Sequence, residues 1–225
     1  MKTISKENYL KIIFSREEET GKPITTTFLA DKLNVSKAAI TDMARRLAAE
    51  DLIAYERYHG IRTLPKGKKL AVEVIRKHRL WELFLLEVLN MNWSEVHDEA
   101  ELLEHTTSDK LLNRIDKFLG YPKFDPHGDP IPNRNGKFPK TAKRMNLLES
   151  VEGKKYKIVR VNDASKDVID FLSEIGIKLG SEITVKKILP KKEGALIING
   201  RRLHSISGNI AAALFIAPSE KGGKI

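Results

Sequence analysis

Two groups of residues in this chain have types and spacings that could do chemistry. His97, Glu101, Glu104 and His105 lie four, seven and eight residues apart, which on a helix sets two carboxylates and two imidazoles along one face. His78 and Glu82, at i and i+4 in an apolar upstream segment, could converge on the same space. Oxygen and imidazole donors without sulfur suit Mn2+ or Fe2+, with Zn2+ or Co2+ as possible substitutes. A solvated acidic face with ordinary exposed histidines has the same pattern, and spacing alone does not separate the two.

The elements that must position these groups are legible around them. Ser5 to Glu19 reads as an amphipathic helix carrying Tyr9, Ile12 and Ile13, broken by Gly21-Lys22-Pro23. Thr25 to Thr27 offer capping hydroxyls for a short helix through Leu33, and Asn34-Val35 makes a turn. Ser36 caps a longer helix to about Glu50, with Ile40, Met43, Ala44 and Leu47 as its buried stripe. Leu52–Tyr58 and Ile61–Leu64, around His59-Gly60, read as a β-hairpin. Helix, turn, helix and hairpin over residues 25–64 make a winged helix-turn-helix. Its second helix would present Ser36, Lys37, Ala39 and Asp42 to base edges in a major groove. Lys37, Arg45, Arg57 and Arg62 are the candidate phosphate contacts. A helical hairpin inside a larger domain, or a winged helix that binds protein, would look similar.

Beyond the hairpin, a strongly apolar helix runs from Pro65 to near Asn90, and Ser94 starts another through about Leu119. Some of Trp81, Phe84, Leu85 and Val88 exceed what one helix needs for its own core and suit a dimer seam. Residues 120–146 are rich in Pro and Gly and read as an irregular linker. After Val151, five short strands at Tyr156–Val161, Glu182–Leu189, Ala195–Ile198, Leu203–Ile206 and Leu214–Ala217 suggest a small barrel, interrupted by a helical piece from Ser165 to Ile175. The expected domains are 1–65, the winged helix; 66–119, a helical metal-binding and dimerisation domain; 120–150, a linker; and 151–225, a β domain.

Composition bounds these readings. The 225 residues are 41% hydrophobic, enough for several cores. The net charge of +10 lies mostly outside the winged helix: residues 151–225 carry a net +6 and residues 1–65 only +2. Global charge is therefore weak support for DNA binding. The absence of cysteine excludes disulfides, zinc-thiolate sites and cysteine nucleophiles. No stretch approaches the ~18 apolar residues of a membrane span, and no signal-peptide pattern opens the chain, so a cytoplasmic location without membrane contact is expected.

His78-Arg79-Leu80-Trp81-Glu82 and the segment Val96 to His105 closely resemble the diphtheria-toxin-repressor family of metal-dependent regulators. Asp125-Pro126-His127-Gly128-Asp129-Pro130-Ile131-Pro132 resembles that family's linker signature, and the tail around Leu179-Gly180-Ser181-Glu182 resembles the SH3-like domain it shares with FeoA proteins. The resemblance spans essentially the whole chain. It implies a mainly α fold with a winged helix, a helical dimerisation domain and a C-terminal SH3-like β-barrel. It also implies a homodimer on a double-stranded DNA operator, repressing metal-uptake genes.

Two metal sites are implied as well. The primary site would use Glu101, Glu104 and His105 with Asn8 from the first helix, where relatives usually have methionine or aspartate. Lys11 stands where the manganese-selective branch has an acidic residue, whereas Glu101 matches the manganese-type choice over cysteine. The second site has two implied arrangements: His78, Glu82 and His97 with tail ligands, or Glu82 with Asp125, His127 and Asp163. A metal-dependent hydrolase and a sensor of an organic ligand are the competing functions. Against the hydrolase, the chain has no HExxH, GxSxG or P-loop motif.

Overall fold

The computed structural model describes residues 6–56, 59–141, 143–162 and 166–219. Arg57 and Asp163 lie outside the described residues.

The winged helix assembles from its caps inward. Helix α1 (Lys6–Thr20) buries Tyr9, Leu10, Ile13 and Phe14. Helix α2 (Thr26–Leu33) is capped by the Thr25 hydroxyl, which accepts from the Phe28 N–H at 3.1 Å, and ends at Asn34 in the left-handed region. Helix α3 (Lys37–Ala49) is capped by Ser36, whose hydroxyl accepts from the Ala39 N–H at 3.2 Å. Strands β1 (Ile53–Glu56) and β2 (Gly60–Thr63) pair antiparallel, Ile53 opposite Thr63 and Glu56 opposite Gly60. The Glu17 carboxylate accepts from the backbone N–H and the hydroxyl of Thr63, at 2.8 and 2.5 Å, fastening the wing to α1. Leu10, Ile13, Leu29, Ile40, Leu47, Leu52 and Ile61 share one core with Ala71, Val72 and Ile75 of the next helix.

That helix, α4 (Pro65–Glu87), starts with proline in its first turn, where the missing N–H costs no helical bond. The single helix expected from Ser94 to Leu119 is two: α5 (Val96–Leu103) and α6 (Asp109–Phe118). Local side-chain hydrogen bonds make the break. The Thr107 hydroxyl donates to the Leu103 carbonyl at 2.6 Å, and the Ser108 hydroxyl accepts from the Leu111 N–H at 3.3 Å, capping a new helix. The Trp81 indole N–H donates to the Thr107 hydroxyl at 2.6 Å and holds the break against α4. Glu104 therefore caps the end of α5, and His105 lies in the turn after it.

The chain then crosses the irregular linker into a β domain. Strands β3 (Met145–Asn146), β4 (Lys155–Val161), β5 (Glu182–Ile188), β6 (Gly194–Asn199), β7 (Arg202–Ser207) and β8 (Leu214–Pro218) form an antiparallel sheet in the order β3-β8-β4-β5-β6-β7. Helices α7 (Lys166–Glu174) and α8 (Gly208–Ala213) complete it, and Ile158, Leu172, Val185, Ile197 and Leu214 lie in its core. The five expected strands are present; β3, only two residues long, and α8 have too little periodicity to announce themselves. The linker docks on this domain where the Val161 N–H donates to the His127 carbonyl at 2.8 Å. Gly128 permits it: its φ is +87°, and a Cβ there would stand 2.2 Å from the Val159 carbonyl oxygen.

Candidate metal centre

One cleft of about 650 Å³ runs from Asn8 and Lys11 past His78, Glu82 and Glu101 to His127. The half-buried start of α1, the middle of α4, α5 and the linker meet there, and Phe28, Lys32 and Leu33 of α2 with Arg160, Lys166 and Ile169 of the β domain complete the lining. Two clusters of donors line it.

The first lies between α1 and α5. Donor atoms of Glu101, Glu104 and His105 lie within 4.8 Å of one another. The Lys11 ammonium contacts Glu101 Oε1 and donates to both oxygens of Glu104, at 2.9 and 3.0 Å. Asn8 directs its amide nitrogen at Glu101 Oε2, 3.4 Å away. His105 donates from Nδ1 to the Glu7 carboxylate, and its Nε2 faces Glu104 Oε1 at 3.4 Å. Burial opposes the charge of Glu101, yet the Lys11 ammonium and its hydrogen bond hold that carboxyl below its usual range. Glu7 was not singled out in the sequence. Its signal is spacing, because Glu7 and Lys11 stand one turn apart beside Asn8.

The second cluster centres on Glu82 Oε1, on a residue that is 1% exposed. His78 Nε2 is 2.9 Å from this atom, His97 Nδ1 3.1 Å and His127 Nε2 3.7 Å. The imidazoles of both expected second-site arrangements, His78 and His97 of one and His127 of the other, thus lie nearest the same Glu82 oxygen. His127 is 2% exposed, stacks on the Trp93 ring with centroids 5.5 Å apart, and has no hydrogen-bond partner at either ring nitrogen among the described residues. Asp125 Oδ1 accepts from the backbone N–H groups of His127 and Asp129 at 2.9 Å each, which shapes the turn presenting the imidazole. Burial, then the Glu82 and Asp129 carboxylates, push the Asp125 carboxyl well above its usual range, with Arg79 opposing.

His78 joins the clusters. Its Nδ1 donates to Glu104 Oε2 at 2.6 Å while its Nε2 donates to Glu82. Burial disfavours its charge and Lys11 adds repulsion, but Glu82 and the hydrogen bonds to Glu104 and Glu82 raise its pKa to about 9. Glu82 is held well below its usual range, since His78, His97 and His127 outweigh the burial penalty.

On the winged helix, Ser36, Lys37, Ala39, Asp42 and Arg45 are exposed along α3, opposite buried Ile40, Ala44 and Leu47. Asp42 pairs with Arg46 at 2.7 Å, so Arg46 joins the charged groups of this face. Arg62 sits on the wing, its guanidinium 3.4 Å from the Gly21 carbonyl and 3.7 Å from Glu17. Among the described residues, no helix is long and apolar enough to cross a membrane.

Comparisons with known proteins agree with this organisation. The family model for the N-terminal DNA-binding domain of iron-dependent repressors matches residues 1–61. The model for their metal-binding and dimerisation domain matches residues 64–133, and the FeoA-domain model matches residues 145–218. A solved manganese-dependent transcriptional repressor in complex with manganese is 31% identical with a TM-score of 0.88, over 96% of this chain and 100% of its own. The iron-dependent repressor IdeR of Mycobacterium leprae is 29% identical over 92% of this chain and 94% of its own. An uncharacterised helix-turn-helix transcriptional regulator of Methanocaldococcus jannaschii is 37% identical over 113 residues, which are 50% of this chain and 90% of that protein. Neither a hydrolase nor an organic-ligand sensor finds support among them. The chain, with its winged helix, helical dimerisation domain and SH3-like tail, belongs to the iron-dependent repressor family, whose members are metal-dependent DNA-binding regulators and not enzymes.

Proposed function

We propose that this chain is a cytoplasmic repressor of metal-uptake genes that binds its operator as a homodimer when Mn2+ or Fe2+ is bound. The observation that carries the reading is the buried His127 imidazole, without a hydrogen bond at either nitrogen among the described residues, beside Glu82, His78 and His97. An unsatisfied buried polar group costs about 1–3 kcal/mol. Coordination of a cation would satisfy it.

In this reading His127, Glu82, His78 and His97, with Asp125 nearby, hold one ion. Glu101, Glu104 and His105, with Asn8 alongside, hold another, and the Lys11 ammonium marks the place of a cation there. An ion held at the first cluster would supply positive charge tying α1, in the DNA-binding lobe, to α5, and one held at the second would tie α4 to the linker. Glu7 orients the His105 ring, Asp125 shapes the linker turn, and Gly128 lets that turn lie on β4. Two recognition helices in a two-fold dimer must stand about 34 Å apart to enter successive major grooves. A fixed lobe orientation raises the population of that spacing. Exposed Phe118, Leu111 and Leu89, with half-buried Trp81 and Phe84, supply an apolar face for the partner copy.

The test is a gel-shift titration of the metal-free protein with Mn2+ and Fe2+ on a selected operator, at two salt concentrations. Operator affinity should rise with either ion. Arg62→Ala should weaken binding to every sequence and shrink the salt slope by about one. Ala39→Gln should change base preference by roughly 1–3 kcal/mol. Operator binding indifferent to both ions would refute the reading.

A further inference from the structure

The two clusters differ in what already balances their charge. Around Glu82 the neighbours are imidazoles, and among the described residues no lysine or arginine nitrogen forms an ion pair with it. Around Glu101 and Glu104 a lysine does. The Lys11 side chain is 14% exposed and Glu104 fully buried, so this is not a surface pair screened by water. The ammonium spans both carboxylates, within the donor set formed by Glu101, Glu104 and His105.

The rest of α1 reinforces this arrangement. Asn8 directs an N–H, not an oxygen, toward Glu101, and the Glu7 carboxylate engages His105 Nδ1. At Glu101 and Glu104, then, α1 supplies hydrogen-bond donors and a positive charge. A divalent ion entering between those carboxylates meets a cation already in contact with both.

We propose that Lys11 is a tethered counter-cation that holds the Glu101–Glu104 site closed in the metal-free protein and must be displaced before an ion can bind there. This deepens the proposed function and rests on its assignment of Glu101, Glu104 and His105 as ligands. The exchange conserves every covalent bond: one positive charge swings out along the cleft and two enter. It makes loading ordered. The Glu82 cluster fills at lower metal concentration, and the Glu101 cluster fills only when the ion outcompetes Lys11. The amine thereby sets the concentration at which the link between α1 and α5 passes from a salt bridge to a metal bridge.

The experiment is calorimetric titration of the full-length, metal-free protein with Mn2+, paired with thermal melts with and without the ion. The wild type should take two ions per chain with unequal affinities. His105→Ala should lose the weaker ion. Lys11→Met should tighten the weaker ion by roughly tenfold or more, because a buried like charge a few ångströms away is removed. It should leave the tighter ion unchanged, lower the metal-free Tm, and enlarge the rise in Tm that Mn2+ causes. Lys11→Arg, which keeps the charge, should retain weak binding. Should Lys11→Met not fold without metal, Lys11→Gln removes the charge, keeps an N–H donor and carries the same expectation. An unchanged weaker affinity in Lys11→Met or Lys11→Gln, with His105→Ala still one ion short, overturns the role of Lys11 and leaves the ligand assignment standing. Two ions retained by His105→Ala overturn the assignment and the proposal together.

Discussion

The cluster at Glu101 and Glu104 and the cluster at Glu82 are built from the same residue types a few ångströms apart, yet they solve burial differently. At the first, two carboxylates are neutralised by an ammonium from a neighbouring helix. At the second, one fully buried carboxylate draws three imidazoles, one of which has no hydrogen bond at either nitrogen among the described residues. The first is complete as a salt bridge, whereas the second is complete only with a further partner. His78 touches both, so a change of charge at one is felt at the other.

Three changes would break or sharpen this contrast, beginning with the largest. Glu82→Gln removes the carboxylate on which the three imidazoles of the second cluster converge. Mn2+ affinity there should fall at least ~100-fold, and the metal-free protein should lose roughly 3–5 kcal/mol because the buried His78 loses one of its two carboxylate partners. Metal titration and urea denaturation measure the two effects. A wild-type affinity for both ions in this variant would end the claim that the clusters are distinct sites.

A milder change separates ligand from scaffold. His127→Phe keeps the ring stacked on Trp93 but deletes two unsatisfied nitrogens. The metal-free protein should be as stable as wild type or more so, by up to about 1–3 kcal/mol, while the tighter ion loses roughly 10–100-fold in affinity. Destabilisation without loss of metal binding would make His127 a structural residue.

The third effect is in pH. The metal-free fold raises the His78 pKa from its ordinary 6.5 to about 9, chiefly through Glu82 and the hydrogen bonds to Glu104 and Glu82, so the fold favours the protonated ring. That contribution is fully present below about pH 6.5 and is lost as pH rises through about 9. Stability of the metal-free protein should therefore decline over that window, and His78→Gln should flatten the decline. A profile identical in wild type and variant would place the titration elsewhere.

Much of this molecule is written locally. Caps at Thr25 and Ser36, the apolar stripe Ile40, Ala44 and Leu47, and the turn at His59-Gly60 specify a winged helix from neighbouring residues alone. The alternating strands of the tail are equally direct. The break after Leu103 was also present in the sequence, as Thr106-Thr107-Ser108, but continuous helical periodicity on either side hid it. The types and spacings of His78, Glu82, His97, Glu101, Glu104 and His105 suffice to propose divalent-ion chemistry, because donor type and helical phase are properties of the chain itself. Which donors share an ion is not. The merging of His127 with His78 and His97 at one oxygen of Glu82 depends on a linker folding back over α4, and the contact of Lys11 with Glu101 and Glu104 joins residues 90 or more positions apart. Those distances are fixed by how α1, α4, α5 and the linker pack, and packing is a property of the whole fold rather than of any one segment.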